Sequence, residues 1–413
     1  MRILHTSDWH LGRLFHRASL LDEQAQALAR IVELTRTERV ELVIIAGDLY
    51  DRSVPPADAV ELFDQTLLEL HRAGATVVAI SGNHDSAVRV GYGDRLMEQL
   101  GVSVRGDLRR IGEAIELTPP DGGEPVRVYP VPFLDPLAAS HHARGELAAG
   151  SSSRDSDDSD SSSDDSVDGP AARARFTHHD AMAWAMDRVR ADLTAHPGAR
   201  SVVVAHTFLT GGDPSASERE LSLGHVDQVG MSVFDGIDYV ALGHLHQRQA
   251  FDGGRVAYSG SPLRYSFSEA SNVASVRLID LAADGSLTIE QIPLGVGRDL
   301  HTISGELDEL LADPSLAAAE SGWVRVVLTD RQLPLQAMRR LQERFPHAVE
   351  LSHEPAGTLD GERSARTGAE VRVADPLELS LEFLRDRRGL DVDDAERAVL
   401  GQAISAVRTG SAP

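Results

Sequence analysis

Five short polar clusters in this chain each follow an apolar run: Asp8-Trp9-His10, Gly47-Asp48, Gly82-Asn83-His84-Asp85, His206 and Gly243-His244-Leu245-His246. They contribute carboxylates at Asp8 and Asp48, an amide oxygen at Asn83, and imidazoles at His10, His206, His244 and His246. Seven oxygen and nitrogen donors of this mixture make a site for two divalent cations. The chain has no cysteine, so thiolate ligation is excluded. Oxygen with imidazole suits Mn²⁺, Fe²⁺ or Zn²⁺, with water or substrate in the open positions. Manganese is the first expectation among them.

The residues before each cluster say what must position it. Ile3-Leu4, Leu42-Val43-Ile44-Ile45, Val77-Val78-Ala79-Ile80, Val202-Val203-Val204 and Tyr239-Val240-Ala241-Leu242 read as buried strands of an α/β sheet. Each delivers its polar cluster just past the strand's C-terminal end, where loops from neighbouring strands converge. Taken singly, a Gly-Asp or a lone His after a strand reads as a turn or a cap. Gly-Asn-His-Asp and His-x-His are more specific, and all five together, each after an apolar run, favour a metal site over a set of turns.

The order Asp-x-His, Gly-Asp-x-x-Asp from Gly47 to Asp51, Gly-Asn-His-Asp, a later His and Gly-His-x-His resembles the calcineurin-like metallophosphoesterase superfamily. The flanks, Leu4-His5-Thr6-Ser7 before Asp8, Leu49-Tyr50-Asp51-Arg52 after Asp48, Asp238 before Tyr239, and the run from Tyr258 to Glu269, are similar to those of its SbcD subfamily. Members of that subfamily are nuclease subunits of bacterial SbcC/SbcD DNA-processing complexes. The resemblance implies a metallophosphoesterase β-sandwich flanked by helices, with Asp48 bridging two metals. Asp8, His10 and His246 would hold one metal, and Asn83, His206 and His244 the other. It also implies DNA phosphodiester hydrolysis, as 3′ to 5′ exonuclease and single-strand or hairpin endonuclease, in DNA repair, recombination and replication. His84 would then be a catalytic residue that supplies a proton or positive charge to the leaving oxygen. Asp85 either orients the His84 ring or caps the following helix, and Asp51 either supports the site or caps the turn before Pro55-Pro56.

At 413 residues with 42% hydrophobic composition, the chain exceeds one core. The expected organisation is a catalytic domain over 1–295, a small α/β module over 296–352, a polar linker over 353–374 and a helical C-terminal segment over 375–413. By resemblance the second module is a capping domain. The C-terminal segment, with Leu377, Leu379, Leu381, Phe383 and Leu384, would dock on an SbcC-type, SMC-like ATPase, or else pack back on the second module. A homodimer inside a heterotetramer would follow from the same resemblance. A strand beginning at Arg2 leaves no room for a signal peptide, no apolar run nears the ~20 residues of a membrane span, and the absence of cysteine fits a reducing compartment. A cytoplasmic protein without a membrane segment is expected.

The net charge of −24 opposes binding to a polyanion. Part of it is local: from Ser151 to Gly169 seven Asp stand against Arg154 alone, the centre of an expected disordered insertion over about 145–172. Without that stretch the charge is still about −18, so DNA would have to be gripped by local groups, by the metals or by a partner. Arg13, Arg17, Arg89 and Arg264 lie near the metal motifs and could reach phosphates, with Tyr265 or Phe267 available for stacking; each arginine reads equally well as an ordinary surface residue. All 40 basic residues are arginine, through coding bias or adaptation to salt. Two rival functions share these motifs: a phosphatase or small-phosphodiester hydrolase of the same superfamily, and a non-enzymatic scaffold of the same fold.

Overall fold

The apolar runs become the inner strands of two six-stranded sheets. The computed structural model describes residues 1–119, 123–151, 176–214, 228–355, 375–388 and 391–408, and the chain divides into two units, Met1–Gly297 and Arg298–Pro413.

In the first unit, one sheet runs in the order Leu287–Pro293, Ser275–Leu281, Arg2–Thr6, Leu42–Ile45, Thr76–Ile80, Val102–Arg105. Its last four strands are mutually parallel, and the first two form an antiparallel hairpin beside Arg2–Thr6. The other sheet runs Gln249–Phe251, Val256–Tyr258, Tyr239–Gly243, Arg200–His206, Val126–Val131, Ile115–Leu117, parallel except for its two edge strands.

Side chains alternate between the faces of a strand, so one apolar run serves two cores. Ile3, Leu42, Ile44, Val78 and Ile80 meet Val126, Val128, Val202, Val204 and Tyr239 between the sheets. Leu4, Val43, Ile45 and Val77 point the other way, under the helices Leu21–Thr37 and Ala57–Arg72. On the outer face of the second sheet, Val203, Val240 and Leu242 pack with Met182, Ala185 and Val189 of the helix His178–Ala195. The result is a helix–sheet–sheet–helix sandwich of the expected α/β type. Burial on both faces explains why the strands read as continuous apolar runs rather than alternating ones.

The second unit holds a parallel three-stranded sheet, Leu300–Gly305, Trp323–Leu328 and Ala348–His353, with the helices Leu307–Ala312 and Ala337–Arg344 closing its core over Val324, Val326, Leu341 and Phe345. The strand Leu300–Gly305 was not anticipated; its segment Leu-His-Thr-Ile-Ser-Gly has only two large apolar residues, Leu300 and Ile303, both buried. Two helices, Pro376–Arg388 and Asp394–Arg408, come after it and pack on each other. The helix Pro136–Ser151 runs through the expected start of the acidic insertion. The rest of that insertion, and the linker beyond residue 355, lie outside the described residues.

Candidate metal centre

All five ligand-bearing strands are parallel members of their sheets, so their C-terminal ends gather along one edge of the sandwich. Arg2–Thr6 leads to Asp8 and His10, Leu42–Ile45 to Asp48, and Thr76–Ile80 to Asn83; from the other sheet Arg200–His206 ends on His206, and Tyr239–Gly243 leads to His244 and His246.

The turns that aim these side chains carry unusual backbone. Asp8, His10, Asp48 and His244 have φ of 55°, 44°, 48° and 110°, values that non-glycine residues seldom adopt. Each costs on the order of 1 kcal/mol or more and persists only where the surroundings impose it. Here two loops are zipped together, with Asp8 N bonding Gly47 O at 3.0 Å, His10 N bonding Asp48 O at 2.9 Å and Leu11 N bonding Leu49 O at 3.0 Å. The two sheets also approach closely: a Cβ on Gly243 would stand 1.8 Å from the Ala46 carbonyl oxygen, so only glycine fits.

The donor atoms converge in three overlapping groups: Asp8, His10 and His246; Asp8, Asp48 and His206; His10, Asp48 and His84. His10 Nε2 lies 3.1 Å from His246 Nε2. Asp48 Oδ2 lies 3.6 Å from His10 Nε2 and 3.4 Å from His206 Nε2, while Oδ1 of the same carboxylate accepts His84 N–H at 2.9 Å. Asn83 Oδ1 sits 2.9 Å from His206 Nε2 and 3.1 Å from His244 Nδ1. Asp8 accepts His244 N–H at 3.0 Å and the Ser7 hydroxyl. Asp8, His10, Asp48, His206 and His246 are buried, whereas Asn83, His84 and His244 are partly open and mark the accessible side.

These residues fit divalent cations. His206 donates Nδ1–H to Ala46 O at 2.9 Å, which leaves a lone pair on Nε2 of the neutral ring, pointing at Asn83 Oδ1 and Asp48 Oδ2, two further acceptors. His246 Nδ1 pairs with Glu269 Oε1 at 3.1 Å, so its Nε2 lone pair likewise faces His10 Nε2. Converging lone pairs in a buried site need a proton or a metal between them.

Without metal, a proton takes that place. Burial lowers the His206 pKa, but the charge and hydrogen bond of Asp48 outweigh it and push His206 up to about 9. Burial raises Asp48, yet the neighbouring His206 and His10 hold it well below the usual carboxylate range. Burial pushes Asp8 up to about 6 and, with the repulsion of His206, drives His244 down to about 3.

The supporting residues differ in part from expectation. Asp85 neither orients the His84 ring nor caps a helix: its carboxylate accepts N–H bonds from Leu49 and Tyr50 at 3.0 Å and from Gly82 at 2.9 Å, tying the Asp48 loop to the Asn83 loop. The His84 ring is held instead by the Asp51 backbone oxygen, 3.0 Å from Nδ1. The Asp51 carboxylate is bonded by Arg13 at 3.0 Å, and Arg13 also lies over the Tyr265 ring, which commits it to the fold. Tyr265 is not available for stacking on a base: it is 4% exposed, donates its hydroxyl to Trp9 O and sets its ring edge-on to His10 and His246. Phe267 is buried too. Arg17 is exposed, Arg89 is exposed and bonded to Ser53 O, and Arg264 is half-buried along a small cavity beside His246.

Three supporting groups escaped the sequence reading. Glu269 is 1% exposed and divides its carboxylate between His246 Nδ1 and Tyr265 N–H. Gln24 donates to Trp9 O and His10 O, fixing the turn that carries two ligands, and Ser7 bonds Asp8. A buried acid at the end of Ser266-Phe267-Ser268-Glu269 was the one available signal, and it has no spacing that distinguishes it.

Residues 1–248 match the family model of calcineurin-like phosphoesterases. The chain belongs to that family. As a calcineurin-like phosphoesterase it takes divalent metal ions and hydrolyses phosphoesters, and the clustered His and Asp donors are the candidates to hold the ions. Residues 296–388 match a second model, SbcD_C, described as Type 5 capsule protein repressor C-terminal domain, and the two matches in this order give the SbcD type of organisation. Among solved structures, the chain is similar to TT1561 of Thermus thermophilus, at 14% identity over 70% of this chain and 98% of that one, with a TM-score of 0.37. It is similar to a dimetal phosphatase from Danio rerio, at 14% identity over 71% and 96% with a TM-score of 0.37, and to GAP50, the anchor in the inner membrane complex of Plasmodium, at 10% identity over 87% and 99% with a TM-score of 0.34. No helix among the described residues of this phosphoesterase is long and apolar enough to cross a membrane.

Proposed function

We propose that this phosphoesterase is a DNA nuclease, the cutting subunit of an SbcC/SbcD-type complex, working with two divalent ions, manganese first among them. The observation that carries the dinuclear reading is a single oxygen: Asp48 Oδ2 faces His10 Nε2 and His206 Nε2 at once. The DNA reading is supported by the SbcD-type C-terminal region that follows the catalytic unit.

In this reading Asp48 is the shared ligand, with Asp8, His10 and His246 on one side and Asn83, His206 and His244 on the other. Bound there, the ions would supply Lewis acidity and lower the pKa of a water molecule. The chain's own residues do the rest. His244 and Asn83 border the open side on which a phosphodiester would dock. Asp85 keeps the two loops that carry Asp48 and Asn83 in register. His84 donates its Nδ1–H to Asp51 O, which leaves Nε2 as the atom that would exchange a proton with the leaving oxygen. Polarity from 3′ to 5′, cutting of hairpins, and a place in DNA repair, recombination and replication belong to the same proposal, as does a cytoplasmic location.

The module over 296–352 would act as the capping domain. The C-terminal helices expose Phe383 and Val399, apolar groups suited to an SMC-like ATPase partner. A second copy of the chain is supported by Val88, Tyr92, Leu96 and Leu100, which recur at every fourth residue and are 65–87% exposed.

The test is cleavage of end-labelled linear and hairpin DNA in Mn²⁺ by the wild type and Asp48→Ala. The reading expects cutting by the former only. Hydrolysis of a chromogenic phosphodiester with DNA left intact, even beside the ATPase partner, would move the protein to small phosphoesters.

A further inference from the structure

Resting on the nuclease reading, we infer that the cavity beside His246 is a subsite for one backbone phosphate of the DNA strand held at the metal centre, with Arg248 as its principal cation. The cavity measures about 120 Å³. Ligand pockets for whole small molecules run to several hundred Å³, so this one takes a single group.

Its chemistry selects an anion. Arg248, Ser271 and Asn272 line it, and the Arg248 guanidinium, the Ser271 hydroxyl and the Asn272 amide have no hydrogen-bond or ion-pair partner among the described residues. A guanidinium with a hydroxyl and an amide is a donor set for phosphate oxygens. The one acid in the lining, Glu269, directs its two oxygens at His246 Nδ1 and Tyr265 N–H. Arg264 completes the wall.

The position ties the cavity to the reaction. Arg248 follows the candidate ligand His246 by two residues, and Ser261 N–H bonds His246 O at 3.0 Å. Gly260, just before Ser261, permits that approach with φ +79°; a Cβ there would fall 2.8 Å from His246 O and 2.9 Å from Arg248 N. The floor of the cavity is thus clamped to the loop that aims a metal ligand. A phosphate seated on Arg248 would set the strand relative to the metals, which a chain of charge −24 needs from local groups. Arg2, Arg13, Arg36, Arg110, Arg127 and Arg255, by contrast, are spent in ion pairs.

The experiment measures binding of a fluorescent single-stranded oligonucleotide against salt concentration. The full-length protein carries His84→Gln so that DNA is not consumed, and it is compared with and without Arg248→Ala, Arg248→Lys or Arg39→Ala, the last an exposed arginine before the N-terminal end of the Leu42–Ile45 strand. Loss of one phosphate contact should weaken binding about tenfold and make the slope of log affinity on log salt shallower by about one unit. Arg248→Lys should restore most of the slope, and Arg39→Ala should leave it alone. With His84 intact, Arg248→Ala should lose more activity on DNA than on bis(p-nitrophenyl) phosphate, which has a single phosphate. An unchanged slope, an equal effect of Arg39→Ala, or equal losses on both substrates would overturn the subsite while leaving the nuclease standing. A wild-type protein that binds no DNA would remove the nuclease reading and the subsite with it.

Discussion

The His84 ring rests on the backbone of Asp51, with Nδ1 3.0 Å from the carbonyl oxygen. Donation from Nδ1 fixes the neutral tautomer and leaves Nε2 as the nitrogen that trades a proton with substrate. Replacing the ring by His84→Gln should therefore leave metal content at the wild-type level and lower the rate by about 10²–10⁴-fold, the usual range for a general acid or base. Asp51→Asn keeps the carbonyl and should lose less than about tenfold. Metal analysis with initial rates checks both, and His84→Gln at wild-type rate would contradict the assignment.

Asp85 serves three backbone N–H groups, so its removal should act on stability before it acts on chemistry. Asp85→Ala should destabilise the metal-free protein by about 2–4 kcal/mol in urea unfolding, because the N–H groups of Leu49, Tyr50 and Gly82 lose their charged acceptor. Asp85→Asn, which keeps acceptor capacity, should cost less. A midpoint unchanged in Asp85→Ala would mean that water takes over all three bonds.

Glu269 sets the tautomer of His246 from behind. Glu269→Gln should weaken metal binding by about 10–100-fold with the fold retained, as losses in the outer shell of a metal site generally do. Competition with a fluorescent chelator measures it. Affinity equal to that of the wild type would assign Glu269 to packing alone.

The proton on His206 predicts how metal uptake depends on pH. His206 is raised to about 9 in the metal-free protein, so at neutral pH a metal must displace its proton. Apparent affinity should fall about tenfold per pH unit below about 9. The same shift stabilises the metal-free fold. A raised histidine contributes fully below its unfolded value of about 6.5 and loses that contribution as pH climbs from there through about 9. Calorimetric titrations at pH 7, 8 and 9 should show proton release on binding that shrinks toward pH 9; release independent of pH would contradict the pairing of His206 with Asp48.

Legibility in the sequence tracks how locally each feature is encoded. Asp8, Asp48, Asn83 and His206 could be placed because each lies just past, or at the end of, a strand whose apolar run announces itself, and parallel strands bring their C-terminal loops to one edge. The roles of Asp85 and Tyr265 could not. Asp85 bonds residues 35 and 36 positions away, and Tyr265 donates to Trp9, 256 positions away, so their partners are set by packing rather than by neighbours in the chain. Tyr265 beside Arg264 resembles an exposed stacking residue until the fold buries it. The strand Leu300–Gly305 was missed for a related reason, since its pairing with Trp323–Leu328 supplies what its own two apolar residues do not.

The central claim is that two ions share Asp48 and together cut DNA, and the most direct measurement is a titration of metal-free protein with Mn²⁺ in which bound metal and cleavage of end-labelled DNA are read from the same samples. The account predicts two equivalents bound, cleavage that rises with the second, and loss of both that equivalent and the activity in Asp48→Ala. Full cleavage at one equivalent, or two equivalents bound with the DNA untouched, would contradict it.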